Sequence, residues 1–537
     1  MSVANPRVLA REAFISTVVA ASLASILVWQ GPPGVDLAAH VYQRTFLIQH
    51  GFVLWNNFWY AGRYTFVTYS ILYYPLAAVL GIKVLAVATV AAAALAFTLV
   101  ALRQWGDSAR FSSRTFAVLW AGIVLSAAFP FALAAAFALL SLWALQSGRR
   151  GRFALCAALC LAASPLAFML LGVLLGGAAV ARRSLRDTRL PLGIMLAGAV
   201  LELVLYRLFS DGGSFPFSFW QLAAALLFCG IGLIATWNVP AARLLHGLFL
   251  VYLFACLAAF TVPSDVGSNI ERIRYAALPI AVLALSLRRW RPLTLVVPAL
   301  VLAAIWNITP IVASYARASA DVGRTAAYWQ PAIDYLHQHS SLSFRVEAVD
   351  TVDHWPAVYL PDAGIPIVRG WYRQSDFPQN EVLYDHPLHA SAYRAWLRSL
   401  GVRFVVLSDA TPDYSSRLEA KLLRSGRSGL VRVFRTRHVS VYQLPNARSI
   451  VVGPGLASVE WLWPTRIVFL VDKPGNYRVA IRWSPYWRAR QGCVSREPDG
   501  MVRLTAARAG LIDLSMSPSL TRGLATLAGV DGSRRCY

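Results

Sequence analysis

Apolar residues dominate the chain from Phe14 to Tyr315 and then give way to a mixed pattern from Arg317 onward. That change is the main boundary along the chain. A helix needs about 20 apolar residues to cross a bilayer. Residues 14–30, 84–102, 190–209, 217–237, 242–262 and 292–313 each predict one spanning helix. Two longer runs contain proline. Residues 115–146 break at Pro130 and residues 153–181 at Pro165, so each predicts a pair of short helices. Residues 275–287 are short but end at the cluster Arg288, Arg289, Arg291, and count as a further span. Residues 64–82 carry Tyr64, Phe66, Tyr69, Tyr73, Tyr74 and Pro75, which suit the membrane interface. The expected bundle has about eleven spans over residues 1–315.

Beyond the bundle the periodicity changes. RVEAVD, PIVRGW, VRFVVLSD, LVRVFRT and VSVYQL predict strands. Residues 328–338, SAYRAWLRSLG and SRLEAKLLRSG predict helices. This alternation implies an α/β region over 316–445. After Pro445 the segments RIVFLVD, YRVAIRWS, MVRLTAA and LIDLSMS are separated by turns such as KPGN and PDG. They predict a small β-sandwich over 446–537. A carbohydrate-binding role for that sandwich rests on fold-level analogy. Trp371, Tyr372, Trp483, Tyr486 and Trp487 either stack on sugar rings or fill the core.

Composition agrees with a membrane protein. Of 537 residues, 57% are hydrophobic and 14% charged, against about 25% charged in soluble proteins. The net charge of +24 would suggest nucleic acid in a soluble chain. Here the cations fall between apolar runs: Arg103, Arg110, Arg114; Arg149, Arg150, Arg152; Arg182, Arg183, Arg186, Arg189. That is the positive-inside pattern, and it excludes nucleic acid as partner. With residues 64–82 in the interface, every basic loop falls on the cytoplasmic side. The N-terminus is then cytoplasmic and the C-terminal region extracytoplasmic, in the plasma (inner) membrane of a bacterial cell. Gln30–Gly34 offers no A-x-A cleavage site, so residues 14–30 read as a retained helix. Cys156, Cys160, Cys229 and Cys256 lie in apolar runs. Cys493 and Cys536 are a disulfide candidate if their region is extracytoplasmic; two unpaired thiols are the alternative.

Three outer loops follow from this topology: residues 31–63, 210–216 and 263–274. In the first, residues 35–49 have helical spacing, with Asp36 and His40 four apart on one face. A carboxylate shielded from water can take a proton from a sugar hydroxyl, with His40 orienting the acceptor. As an alternative, Asp36 is simply the N-cap of its helix. Trp55, Asn56, Asn57, Trp59, Tyr60 and Arg63 suit either sugar binding or an interfacial belt. In the third loop Asn269, Glu271, Arg272 and Arg274 are candidate substrate ligands, since guanidinium matches phosphate bidentately. A solvated loop with a local Glu271–Arg274 pair is the alternative. No metal or nucleotide motif occurs. Asp350, Asp353 and His354 lie close in DTVDHW, which reads as a turn with solvated acids before it reads as a metal site.

The VDLAAH loop, WNNFWYAGRY, TVPSDVGSNIERIR, RGWYRQSDF and LGVRFVVLSD together resemble the pyruvoyl-tetrahydropterin-synthase-related bacterial membrane proteins, of the GT-C glycosyltransferase type. The resemblance covers most of the chain through loose motifs. It implies a polyprenyl-phosphate-linked sugar donor used on the outer face, an envelope glycan or lipid acceptor, and an acid of the first loop, here Asp36, as catalytic residue. Many GT-C enzymes carry paired acids in that loop. This chain has Asp36 alone, with His40 where the second polar group falls, so a divalent metal is allowed as cofactor but is not certain. Two other functions compete: a non-catalytic envelope-assembly protein, and a transporter or flippase. A transporter needs polar residues along its spans, and Glu202 and Arg207 are the main ones.

Overall fold

The computed structural model describes residues 5–182, 189–211, 213–529 and 535–536. The chain divides into two compact units. One comprises Met1–Leu37, Tyr69–Leu203 and Ser214–Ser319; the other comprises Ala38–Thr68, Val204–Gly213 and Ala320–Tyr537.

Among the described residues eight helical segments are long and apolar enough to cross a membrane, fewer than the eleven expected. The chain is a multi-pass membrane protein. Three expected spans account for the difference. Pro130 sits in the first turn of Phe129–Gln146, where its missing N–H costs nothing. Pro165 likewise opens Pro165–Arg182. The expected helix pairs form, but one member of each is short: Arg110–Trp120 has 11 residues and Arg150–Ala163 has 14. Ala277–Leu287 also has only 11. Residues 64–82 form no spanning helix; only Tyr73–Leu80 is helical there.

Arg110 and Arg114 were expected in a basic loop, yet they lie in the helix Arg110–Trp120. Arg114 grips the fully buried Glu12 with two hydrogen bonds of 2.8 Å. This charge-assisted fork fastens that helix to Pro6–Gln30.

Among the described residues the second unit holds a two-stranded pairing of Trp55–Asn56 with Arg63–Tyr64 and three larger sheets. In the first, Arg345–Ala348 pairs in parallel with Val402–Ser408, which pairs antiparallel with Val439–Gln443, followed by Val431–Arg435. PIVRGW, expected as a strand, makes only a single bridge, Val346 to Ile367. Its end turns inward because Arg369 and Arg373 have buried carboxylate partners. The other two sheets form the sandwich. One is ordered Arg535–Cys536, Gly492–Arg496, Met501–Ala506, Gly475–Arg482, Val451–Val452. The other is ordered Trp487–Arg490, Gly510–Met516, Arg466–Val471, Ala457–Trp463. Cys493 is disulfide-bonded, and strand register sets it opposite Cys536. Tyr486 and Trp487 belong to the sandwich core, and Trp483 packs against it.

The segment WNNFWYAGRY is also core, contrary to both readings of its aromatics. Trp55 and Tyr64 join the sandwich interior. Trp59 stacks on Tyr42 at 4.3 Å, and its Nε1–H donates to the Ala357 carbonyl at 2.9 Å. Asn57 Nδ2 donates to the Trp463 carbonyl at 2.8 Å. Burial is the cause: Trp55, Asn56, Asn57 and Trp59 find hydrogen-bond partners inside the unit, while the buried Tyr60 hydroxyl has none.

The expected solvated turn at DTVDHW is likewise buried. Asp350, Asp353 and His354 are each less than a tenth exposed. Arg373 makes this tolerable, with Nη2 at 2.6 Å from Asp350 and 3.0 Å from Asp413. Burial alone would raise the Asp350 carboxyl; His354 and Arg373 hold it down to about 2. Beside this cluster Glu347 and Glu419 are fully buried with no cation within ion-pair distance among the described residues. Burial pushes Glu419 up to about 7 and Glu347 well above the usual carboxylate range. Between an unfolded value of about 4.5 and these folded values the native state binds more protons, so stability falls as pH rises through that window. We expect Glu419→Gln to flatten that fall, measured as chemical-denaturation midpoints from pH 5 to 8. An unchanged slope would show that the pair does not carry it.

Candidate functional site

The predicted site residues divide between the units. Asp36, Asn269, Glu271, Arg272 and Arg274 belong to the first; His40 and Arg63 belong to the second. Helix Leu37–His50 begins directly after Asp36, so the acid stands in the turn that opens the helix.

In the first unit Asp36 follows helix Pro6–Gln30 through the stretch GPPGV. Its backbone is held firmly: Val35 N–H donates to Leu125 O at 3.1 Å and Asp36 N–H to Ser126 O at 3.2 Å. Gly34 is required there, since a Cβ would meet Val124 O at 2.5 Å. The side chain of Asp36 is half-buried. The Asn269–Arg274 cluster lies on a 3-10 helix, Gly267–Ala276. Tyr252, in the membrane helix Arg243–Thr261, donates to Ile270 O at 3.0 Å and ties this loop to the bundle. Arg272 places its guanidinium 5.2 Å from the ring of Phe131. Asp36 and Arg272 are therefore both fastened to one stretch, Ile123 to Phe131, at the mouth of helix Phe129–Gln146.

Glu271 is the chemically unusual member. It is buried, one oxygen has no hydrogen-bond partner, and the other lies 3.9 Å from Arg274. Burial, opposed by Arg274, raises its carboxyl to about 7. A carboxylate poised near neutrality can exchange a proton at working pH. The solvated-pair reading of this loop does not hold, because Glu271 is 2% exposed. Two of the three loops expected on one face, 210–216 and 263–274, meet: Phe215 N–H donates to Ser264 O at 2.9 Å, and Ser268 N–H to Pro216 O at 3.3 Å.

In the second unit His40 is fully buried, its ring 6.0 Å from that of Trp371. Arg63 is buried too. It lies 3.5 Å from the ring centre of Tyr372 and donates to Asp211 at 2.9 Å. Asp211 was missed from sequence. Its signal was there: it is the only acid between Glu202 and Asp265. The described residues hold no group of three His, Cys, Asp or Glu placed to bind a metal, so no chemical step is routed through one. An apolar cavity of about 140 Å³ between membrane helices, lined by Phe228, Phe249, Ala284 and Trp306, contains none of the candidate residues.

No family model matches the chain, that of the motif resemblance included, and no curated protein matches it. Among solved structures it is similar to the mycobacterial arabinofuranosyltransferase AftD, at 12% identity and a TM-score of 0.46, covering 99% of this chain and 58% of that one. Two classes of a mutant of the same enzyme give 13% identity and a TM-score of 0.48. The chain spans about three-fifths of the length of that enzyme.

Gly267 fixes the loop that carries the candidate cations. Its φ is +42°, and a Cβ would stand 2.0 Å from Phe215 O. Substitution must therefore separate the two loops. Gly267→Ala should remove hydrogen-exchange protection from the amides of Phe215 and Ser268 while leaving the spanning helices protected. Retained protection at both amides would refute the coupling.

Proposed function

We propose that the protein is a membrane glycosyltransferase that moves a sugar from a polyprenyl phosphate to an envelope glycan or lipid on the extracytoplasmic face. The observation that carries this reading is the pairing of an acid and an arginine on one stretch of the bundle, at Ile123 to Phe131. In the proposed step Asp36 takes the proton from an acceptor hydroxyl. The freed oxygen bonds to the anomeric carbon as the bond from that carbon to the phosphate oxygen breaks. Arg272 stabilises the charge that develops on the departing lipid phosphate. Arg274 stands beside Glu271 and sets the charge around it. The burial and raised basicity of Glu271 make it the second candidate for the base.

On the sandwich, Trp461 and Trp463 are exposed and nearly parallel, 6.4 Å apart. Arg466 lies 5.2 Å from the Trp463 ring and forms a two-pronged pair with Asp513. Flat rings with adjacent fixed polar groups suit the stacking of a glycan acceptor. These rings, unlike Trp487, have solvent on their outer faces.

The catalytic assignment is tested with Asp36→Asn and Glu271→Gln at matched expression in cells lacking the native gene. Loss of a positioned base should slow transfer by about 10²–10⁴-fold, read as the envelope glycolipid profile. Full restoration by Asp36→Asn together with a defect in Glu271→Gln moves the base to Glu271; full restoration by both refutes the mechanism. For the acceptor surface, the Trp461→Ala, Trp463→Ala double variant should weaken binding to isolated envelope glycan by about tenfold, from about 1.4 kcal/mol of lost stacking. Equal retention of wild type and variant on a glycan column would rule that surface out.

A further inference from the structure

A second cationic centre, which includes Arg63, lies inside the second unit. It is built on the turn Tyr60-Ala61-Gly62, whose φ values are +58°, +54° and +105°. Two non-glycine residues in the left-handed region are held there against their steric preference. The turn is pinned from both sides. Arg482 N–H donates to Ala61 O at 2.8 Å, and a Cβ on Gly62 would lie 2.5 Å from the Trp55 ring. Two guanidiniums therefore flank one strained turn: Arg63 follows it, and Arg482 ends the strand Gly475–Arg482 beside it.

Neither guanidinium is satisfied. Arg63 uses Nη2 for Asp211 and Thr68, while its Nε and Nη1 have no acceptor. Asp211 also accepts from Tyr64 N–H at 2.9 Å. Arg482 donates from Nη2 to Ser375 O, its Nε and Nη1 have no acceptor, and no carboxylate lies within ion-pair distance of it among the described residues. Its guanidinium lies 5.6 Å from the ring of Tyr60, whose hydroxyl has no partner; neither has that of Ser375. Arg63, Arg482 and Tyr60 are all at least nine-tenths buried. Burial lowers Arg482 to about 10 although Asp211 opposes it.

The set is thus two buried cations with a single carboxylate, Asp211, at ion-pair distance of Arg63, the already paired Asp376 acting on Arg482 only from farther off, and with unused donors at two planar forks and two hydroxyls. A buried charge without a counter-charge is strongly unfavourable. A water molecule would accept some of these bonds but would leave the charge. A tetrahedral oxyanion answers both, since guanidinium binds phosphate oxygens in pairs. We propose that Tyr60, Arg63 and Arg482 form a binding site for a phosphoryl group. The group is either free phosphate or the headgroup of a phosphorylated lipid. This site does not rest on the glycosyl-transfer reading, and its test reads binding alone.

The test uses the full chain in nanodiscs, with thermal unfolding followed at constant ionic strength in gluconate. Inorganic phosphate is titrated in one arm and polyprenyl phosphate is incorporated in the other. A saturable rise in Tm with inorganic phosphate identifies the free ion; a rise with polyprenyl phosphate alone identifies the headgroup. In either case Arg482→Gln should weaken binding by at least about tenfold, the loss expected for hydrogen bonds to a charged group. Tyr60→Phe, which removes only a hydroxyl, should weaken it less, and serves if Arg482→Gln does not fold. Arg503→Gln, in a surface pair with Glu497, should bind as wild type does. No rise in either arm, an undiminished rise in Arg482→Gln and Tyr60→Phe, or loss of the rise only in Arg503→Gln would overturn the site.

Discussion

Two arginines four residues apart, Arg369 and Arg373, hold the interior of the second unit in its present form. Arg369 meets Asp376 with Nε at 3.0 Å and Nη2 at 2.7 Å, and also donates to Ser415 and Ser416. Arg373 neutralises Asp350 and Asp413. Asp376 accepts further bonds from Asn380 and Tyr384. All of these side chains but that of Tyr384 are nearly buried. Removing one partner would leave an unpaired buried charge, at a cost of about 3–5 kcal/mol. The network therefore fixes the loop that bears Trp371 and Tyr372. Through Tyr372 it fixes Arg63, and through Ser375 it fixes Arg482.

The same constraint explains the fate of the first loop. A segment so rich in Trp, Tyr and Asn must put its polar atoms somewhere if the rings are buried. Trp55 donates to Asn57, Asn56 donates to Tyr42, and Tyr64 shares a hydrogen bond with Ser484. Most of these polar atoms find a partner inside the unit, so the segment can be core although it lies between two apolar runs in the chain. Gly370 contributes by its lack of a side chain: a Cβ there would stand 2.6 Å from the Trp59 ring. That close approach explains the glycine of RGWYRQSDF without any direct role in chemistry.

What could be read from the sequence follows from which signals are local. Apolar run length is local, and the spanning helices were legible from it. Proline position was legible too: Pro130 opens Phe129–Gln146 after a shorter helix, as a break at that point predicts, but how short the first member is was not. The strands Val402–Ser408 and Arg466–Val471 were plain from their β-branched runs. PIVRGW looked the same and failed, since the partners that turn it inward include Ser416, 47 residues from Arg369. The candidate residues Asn269, Glu271, Arg272 and Arg274 were legible as a polar island between apolar runs. Their difference in burial was not, because it depends on how Gly267–Ala276 packs on Tyr252. Arg482 and the exposed pair Trp461 and Trp463 gave no local pattern that set them apart, and Asp211 was marked only as the one acid between Glu202 and Asp265.

The proposed acid–base chemistry needs groups in unlike environments, and Asp36 and Glu271 differ in this way. Asp36 is half-buried in a turn whose backbone is fixed by Ser126, close to the end of a membrane helix. Glu271 is sequestered, with one oxygen unpartnered and a single arginine at 3.9 Å. A carboxylate that must accept a proton and pass it on gains from the second setting, where burial raises basicity. One that must meet a substrate gains from the first. Arg272 has the arrangement expected of a group that waits for an anion: its guanidinium rests against an aromatic face and forms no ion pair among the described residues. Arg274 is already committed to Glu271. The two arginines, equivalent by sequence, are thus made unequal by a single carboxylate, and the one left without an ion pair is the one held at the mouth of helix Phe129–Gln146.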